Sequence, residues 1–89
     1  MKFDAGTTHS SGQVSDTRDA VKAIEFHARS DNEGSVIVGV SDVSSSNGRE
    51  LSPDASTTYE FGEGSVLLSV FYVHITGSGD SVDWSVIVL

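Results

Sequence analysis

The chain has no cysteine. That absence removes disulfide staples, thiolate metal sites and cysteine nucleophiles together, and it fits assembly in a reducing cytoplasm. Positive charge is scarce as well: Lys2, Arg18, Lys22, Arg29 and Arg49 stand against 13 acidic residues, for a formal net charge of −8. Nucleic acids and anionic membrane surfaces are polyanions whose binding needs clustered Lys and Arg, so neither is an expected partner. Long apolar runs are missing too. The most apolar stretch, Val66 to Ile75, contains Ser69 and His74 and falls well short of the roughly 20 residues of a membrane helix. The start, Met1-Lys2-Phe3-Asp4-Ala5-Gly6, turns polar at once, so no secretory signal is expected.

The residue patterns of familiar chemistry are also lacking. His9, His27 and His74 show neither the H-x-H nor the H-x-x-x-H spacing that brings two imidazoles to one metal, so they are expected as hydrogen-bonded or solvated side chains. Gly77-Ser78-Gly79 resembles only a fragment of a nucleophile elbow and is better explained as a turn. Asp31-Asn32-Glu33-Gly34 lacks the length and the closing glutamate of a calcium loop. Gly62-Glu63-Gly64 precedes no helix that could cradle a phosphate. No catalytic residue, metal or cofactor is expected.

What is present is a succession of short β-forming segments. The organising one is Val36 to Pro53: β-branched residues at Val36, Ile37, Val38 and Val40 form a strand, which breaks into the polar loop Ser44-Ser45-Ser46-Asn47-Gly48 before Leu51 returns an apolar anchor. Asn47-Gly48 is a dipeptide that tolerates positive φ, so a left-handed residue is expected there. Upstream, Lys22, Ile24, Phe26 and Ala28 keep a period of two and make residues 20–29 a strand, joined through the turn Ser30–Gly34 to Val36–Val40 as an expected hairpin. Downstream, Pro53 starts a turn, Thr57–Phe61 alternates, Val66–Ile75 is expected as the longest strand, and the flexible turn Gly77–Asp80 joins it to Val82–Leu89 in a second hairpin. The spacing implies one all-β domain over residues 20–89, a small antiparallel β-sandwich or barrel of jelly-roll type. Residues 1–19 carry, after Met1, only Phe3, Ala5 and Val14 as apolar side chains and are expected as an extended arm, either a tail or a segment ordered by a neighbouring subunit.

Apolar residues occupy both faces of Val66–Ile75, and Ile87 and Leu89 repeat this more weakly behind Val82, Trp84, Val86 and Val88. Such surplus is explained either by a covering segment of the same chain or by a subunit interface. A chain of 89 residues buries about 60–65% of the surface it exposes when unfolded, so association would add to a modest core. The aromatic residues mostly fit as core, with Trp84 or Tyr72 as the side chains that a sugar-stacking platform would expose.

The run Val36-x-Val38-Gly39-x-Ser41-x-Val43-Ser44-Ser45-x-Asn47-Gly48-x-x-Leu51-x-Pro53, preceded by the strand 21–28 and followed by 57–61 and a valine-rich strand, resembles small β-sandwich virion proteins of tailed bacteriophages. The resemblance covers residues 20–76. The chain carries Pro53-Asp54 where that family has Pro-Gly. The resemblance implies a non-enzymatic capsid decoration, or cement, protein on the outer surface of the head, assembled in the host cytoplasm, bound to the major capsid protein and forming a dimer or trimer. The expected partner-binding residues are Lys2, Phe3, Val14, Ile87 and Leu89, with the 44–48 loop beside them. A tail-associated or carbohydrate-binding β module is the alternative.

Overall fold

Two strands bury alternate side chains, one without interruption and the other from Ile24 onward, and the sandwich is built on them. Val82, Trp84, Val86 and Val88 point inward from one, and Ile24, Phe26 and Ala28 from the other. The computed structural model describes residues 2–89. Its elements are β1 (Lys2–Thr8), β2 (Gly12–Gln13), β3 (Ala20–Ala28), β4 (Val36–Gly39), β5 (Arg49–Leu51), β6 (Ser56–Glu60), β7 (Val66–Leu67), a 3₁₀ turn (Leu68–Val70), β8 (Tyr72–His74) and β9 (Val82–Val88). They form two antiparallel sheets, one ordered β1-β9-β3-β6 with β7 also on β3, the other ordered β2-β8-β4-β5. The all-β sandwich expected from the spacing is what the chain forms.

Between the sheets, the inner faces of β3 and β9 meet Val36, Val38, Leu51 and Val73, with Leu68 and Phe71 filling the gap. Phe26 packs edge-on against Phe71 at 5.9 Å between ring centroids and against Tyr59 at 6.4 Å. Such contacts add about 0.5–1.5 kcal/mol each beyond burial. A bulge at Lys22 shifts the phase of β3 against β9, so Val21 and Ile24 both turn inward although they are three residues apart.

The strands were legible; their partners were not. The expected hairpin between 20–29 and 36–40 does not exist, because β3 and β4 lie in different sheets. The connecting segment crosses the end of the sandwich, drawn there by Asn32, whose buried amide donates to the Ser81 carbonyl (2.9 Å) and accepts from the Ser81 N–H (2.8 Å). Val66–Ile75 is likewise not one strand. It leaves β3 as β7, turns through Leu68–Val70 and joins β4 as β8. A segment passing from one sheet to the other buries side chains on both sides, which explains its two apolar faces without a partner. The second expected hairpin fails for the same reason, since β8 and β9 belong to opposite sheets. The hairpin that does form is β4–β5, closed by the 44–48 loop, with Gly48 at φ 133°.

Residues 2–19 are extended, and their order comes from strands of their own chain, where a neighbouring subunit was expected. β1 pairs with β9 over the register Lys2↔Val88 to Thr8↔Val82, and β2 pairs with β8. Between them Ser11 Oγ accepts from Ile75 N–H (2.8 Å), and His9 Nδ1 lies 3.0 Å from Ser81 Oγ. The segment thus straps one side of the sandwich. Backbone hydrogen bonds supply the stability that its few apolar side chains cannot.

Asp80, expected in a flexible turn, is 2% exposed and accepts from the Glu33 N–H (2.8 Å) and the Gly34 N–H (3.1 Å). Asp80→Ala removes both acceptors and is expected to lower unfolding free energy by about 2–3 kcal/mol in urea titrations, with Asp80→Asn intermediate. A Cβ on Gly48 would lie 2.6 Å from Ile37 Cγ2 and 2.8 Å from the Val38 carbonyl oxygen. Gly48→Val is therefore expected to cost roughly 1–3 kcal/mol by the same measurement.

Candidate interaction surface

Strand alternation determines what the outer face of the β1-β9-β3-β6 sheet presents. Phe3 sits opposite Ile87, Ile87 opposite Ala23, and Ala23 opposite Glu60, so one cross-strand row is apolar until its last member. The next row is Ala5, Ser85, Glu25 and Thr58; the third is Thr7, Asp83, His27 and Ser56. Apolar character is thus confined to one end of the face. Phe3 is 82% exposed, Ile87 half-buried, and Leu89, just beyond β9, 57% exposed.

Of the five expected partner-binding residues, the structure brings Phe3 and Ile87 into direct apposition, with Leu89 two positions past Ile87. Lys2 is exposed on the same strand but alternates to the other face, opposite Val88. Val14 does not belong with them: it is half-buried against the core, and its N–H donates to the Phe71 carbonyl (3.0 Å). Its apolar side chain packs against the core of its own chain.

The third row forms a charged patch that the sequence did not disclose. Asp83 Oδ1 accepts from Thr7 Oγ1 (2.7 Å) and from Arg29 Nε (3.0 Å), whose contact with Oδ2 is 3.2 Å. Beside it, His27 Nε2 lies 3.1 Å from Asp54 Oδ1. Burial pushes the Asp83 carboxyl up, but the hydrogen bonds from Thr7 and Arg29 and the charges of Arg29 and His27 outweigh it and hold the carboxyl below its ordinary value. Thr7, His27 and Asp83 are scattered in sequence, and only the β1–β9–β3 register aligns them.

The 44–48 loop serves a different surface. Ser44 N–H donates to the Asn47 carbonyl (2.9 Å), Ser46 N–H to Ser44 Oγ (3.3 Å), and Asn47 Nδ2 to the Asp42 carbonyl (3.1 Å). The Ser44 hydroxyl therefore holds the loop, while Ser45 and Ser46 are exposed. Asn47 and Gly48, with Asp42 and Arg49, rim a cleft of about 550 Å³ between this loop and β6. Val38, Tyr59, Phe61 and Phe71 line its depth, and the Phe61 and Phe71 rings stack at 6.1 Å. Trp84, named as a stacking platform, is only 9% exposed and lies against Gly6; Tyr72 is half-buried on β8.

No protein-family model matches this chain, and neither does any curated protein or solved structure. Function is therefore argued from the surface itself. Among the described residues, no three His, Asp or Glu side chains cluster so as to hold a metal ion.

The lowered carboxyl of Asp83 makes a pH prediction. A group whose pKa falls on folding adds stability above its unfolded value, near 3.8, and loses it as pH drops through the folded value. Because Arg29 and Asp83 are both partly exposed, the gain at neutral pH is expected to be under about 1 kcal/mol. Asp83→Asn should thus be slightly less stable than the parent at pH 7, with the gap closing below about pH 4 in thermal melts.

Proposed function

We propose that this protein is a capsid decoration protein that attaches to the outer surface of a phage head through the apolar end of its β1-β9-β3-β6 sheet. The observation that carries this reading is Phe3, a bulky aromatic side chain left 82% exposed on a strand whose backbone is held by β9 along its length. An anchor fixed before binding loses little conformational freedom when it enters a partner's pocket, and buried aromatic anchors supply most of the energy of protein interfaces. Ile87 and Leu89 extend the contact on the same face. The acidic surface suits a partner with basic patches, and a protein that binds only the assembled shell stabilises it by mass action, copy by copy.

A second reading has an observation of its own. The cleft rimmed by Asp42, Asn47 and Arg49 over Tyr59 and Phe61 combines aromatic faces with polar groups, the pairing that binds a sugar ring in a carbohydrate-binding module.

The experiment is a sedimentation assay with purified, undecorated capsids. Phe3→Asp is expected to reduce occupancy at limiting protein by about 30-fold or more, as loss of an anchor worth about 2 kcal/mol requires, while circular dichroism remains that of the parent. Full occupancy by Phe3→Asp overturns attachment through this surface. Glycan binding lost in Phe61→Ala, without capsid binding by the parent, establishes the second reading instead.

A further inference from the structure

We propose that two copies of this chain join edge to edge through β1, antiparallel, in the register that sets Phe3 opposite Phe3. The inference goes beyond capsid attachment and does not rest on it. Among the described residues β1 has a strand partner on one side only, β9; on its other side the Ala5 N–H donates to the Asp4 carboxylate of the same chain (2.9 Å), and no second strand takes the remaining backbone groups. Such an edge is a template for a further strand, and the strand available in every solution of the protein is β1 of a second copy.

Geometry restricts the choices. A two-fold axis perpendicular to the sheet keeps every side chain on its own face, so residues of odd number meet odd and even meet even, and each register has one residue on the axis. With Asp4 there, two carboxylates face each other directly, which is destabilising. With Ala5 there, Lys2 and Asp4 meet Thr8 and Gly6, and Phe3 meets Thr7, whose hydroxyl is already given to Asp83. Registers centred further along leave Lys2 and Phe3 outside the pairing.

With Phe3 on the axis, Lys2 of each copy stands opposite Asp4 of the other, so two opposite-charge pairs form on one face. On the other face, the row Ala23, Ile87, Phe3 runs into Phe3, Ile87 and Ala23 of the second copy as one continuous apolar stripe. Neither Lys2 nor Asp4 forms an ion pair within its own chain among the described residues. Both the charge pattern and the exposed aromatic ring are thus used in a single register. Among the described residues, this register sets Lys2–Asp4 of one copy against Asp4–Lys2 of the other, at the N-terminal end of the β1 edge.

The chain's lack of cysteine makes the test direct, because an introduced thiol has no other partner. Facing residues of an antiparallel pair have Cα atoms about 4.5–5.5 Å apart, within disulfide range. Phe3→Cys, Asp4→Cys, Ala5→Cys and Leu89→Cys proteins are oxidised under identical conditions and resolved on non-reducing gels. Phe3→Cys is expected to form covalent dimer about tenfold faster than the others. Fastest cross-linking at Asp4, Ala5 or Leu89 overturns the register. A second measurement keeps the aromatic side chain: in sedimentation equilibrium, Lys2→Asp and Asp4→Lys should each weaken the parent's dimer about tenfold, and the two together should restore it. A parent that remains monomeric up to about 1 mM, or a double exchange that restores nothing, overturns the proposal. Both measurements use protein without capsids, so their failure is distinct from failure to decorate a shell.

Discussion

A buried carboxylate holds together the end of this molecule where the chain changes sheets. Asp80 accepts from two consecutive N–H groups of the β3–β4 connection, and beside it the Asn32 amide and the Ser81 backbone exchange a pair of hydrogen bonds. These two connections are far apart in sequence and carry the chain in opposite directions between the sheets. Tying them to each other satisfies polar groups that would otherwise be desolvated without partners. The same site accounts for Gly77, where a Cβ would overlap the Asp80 carboxylate. With this end fixed, β3 and β9 are brought side by side, and their inner faces define the core.

The two flanks of the sandwich are closed by different means. On one, β1 and β2 belong to opposite sheets and are joined by residues 9–11, so a segment with little apolar surface is held by backbone pairing and by Ser11 and His9. On the other, the turn Ser52–Ala55 carries the chain from β5 to β6, with Asp54 at φ 71° in the conformation that glycine adopts with least strain. The flank above it stays open as the aromatic cleft. The molecule therefore has a strapped side bearing an exposed edge strand and an open side bearing a concavity, and the two readings of function attach to these two sides.

The candidate surface was legible only in part. Ile87 and Leu89 stood out as apolar side chains in excess of what a small core uses, Phe3 as the bulky side chain of an apolar-poor arm, and they lie on one face. Val14, one of the few apolar side chains of the arm, packs half-buried against the core, because apolar character alone does not say which side of a strand is covered. The charged group of Thr7, Arg29 and Asp83 left no local signal. Its members are common surface residues, and their apposition is a property of the register of three strands.

Local pattern determined the class of fold, the positions of most strands, the inward side of β9, the left-handed residue at Gly48 and the proline turn at Pro53. Each of these depends on side-chain alternation or on backbone sterics within a few residues, which the chain carries in its own order. Tertiary structure alone decided which strands pair, that Val66–Ile75 divides between two sheets, that residues 2–13 dock on their own body through β1 and β2, and that Asp80 is buried. Pairing depends on hydrogen bonds between segments distant in sequence, whose strength hardly varies with the residues that make them, so the choice among partners rests on how the whole core packs and which polar groups find acceptors.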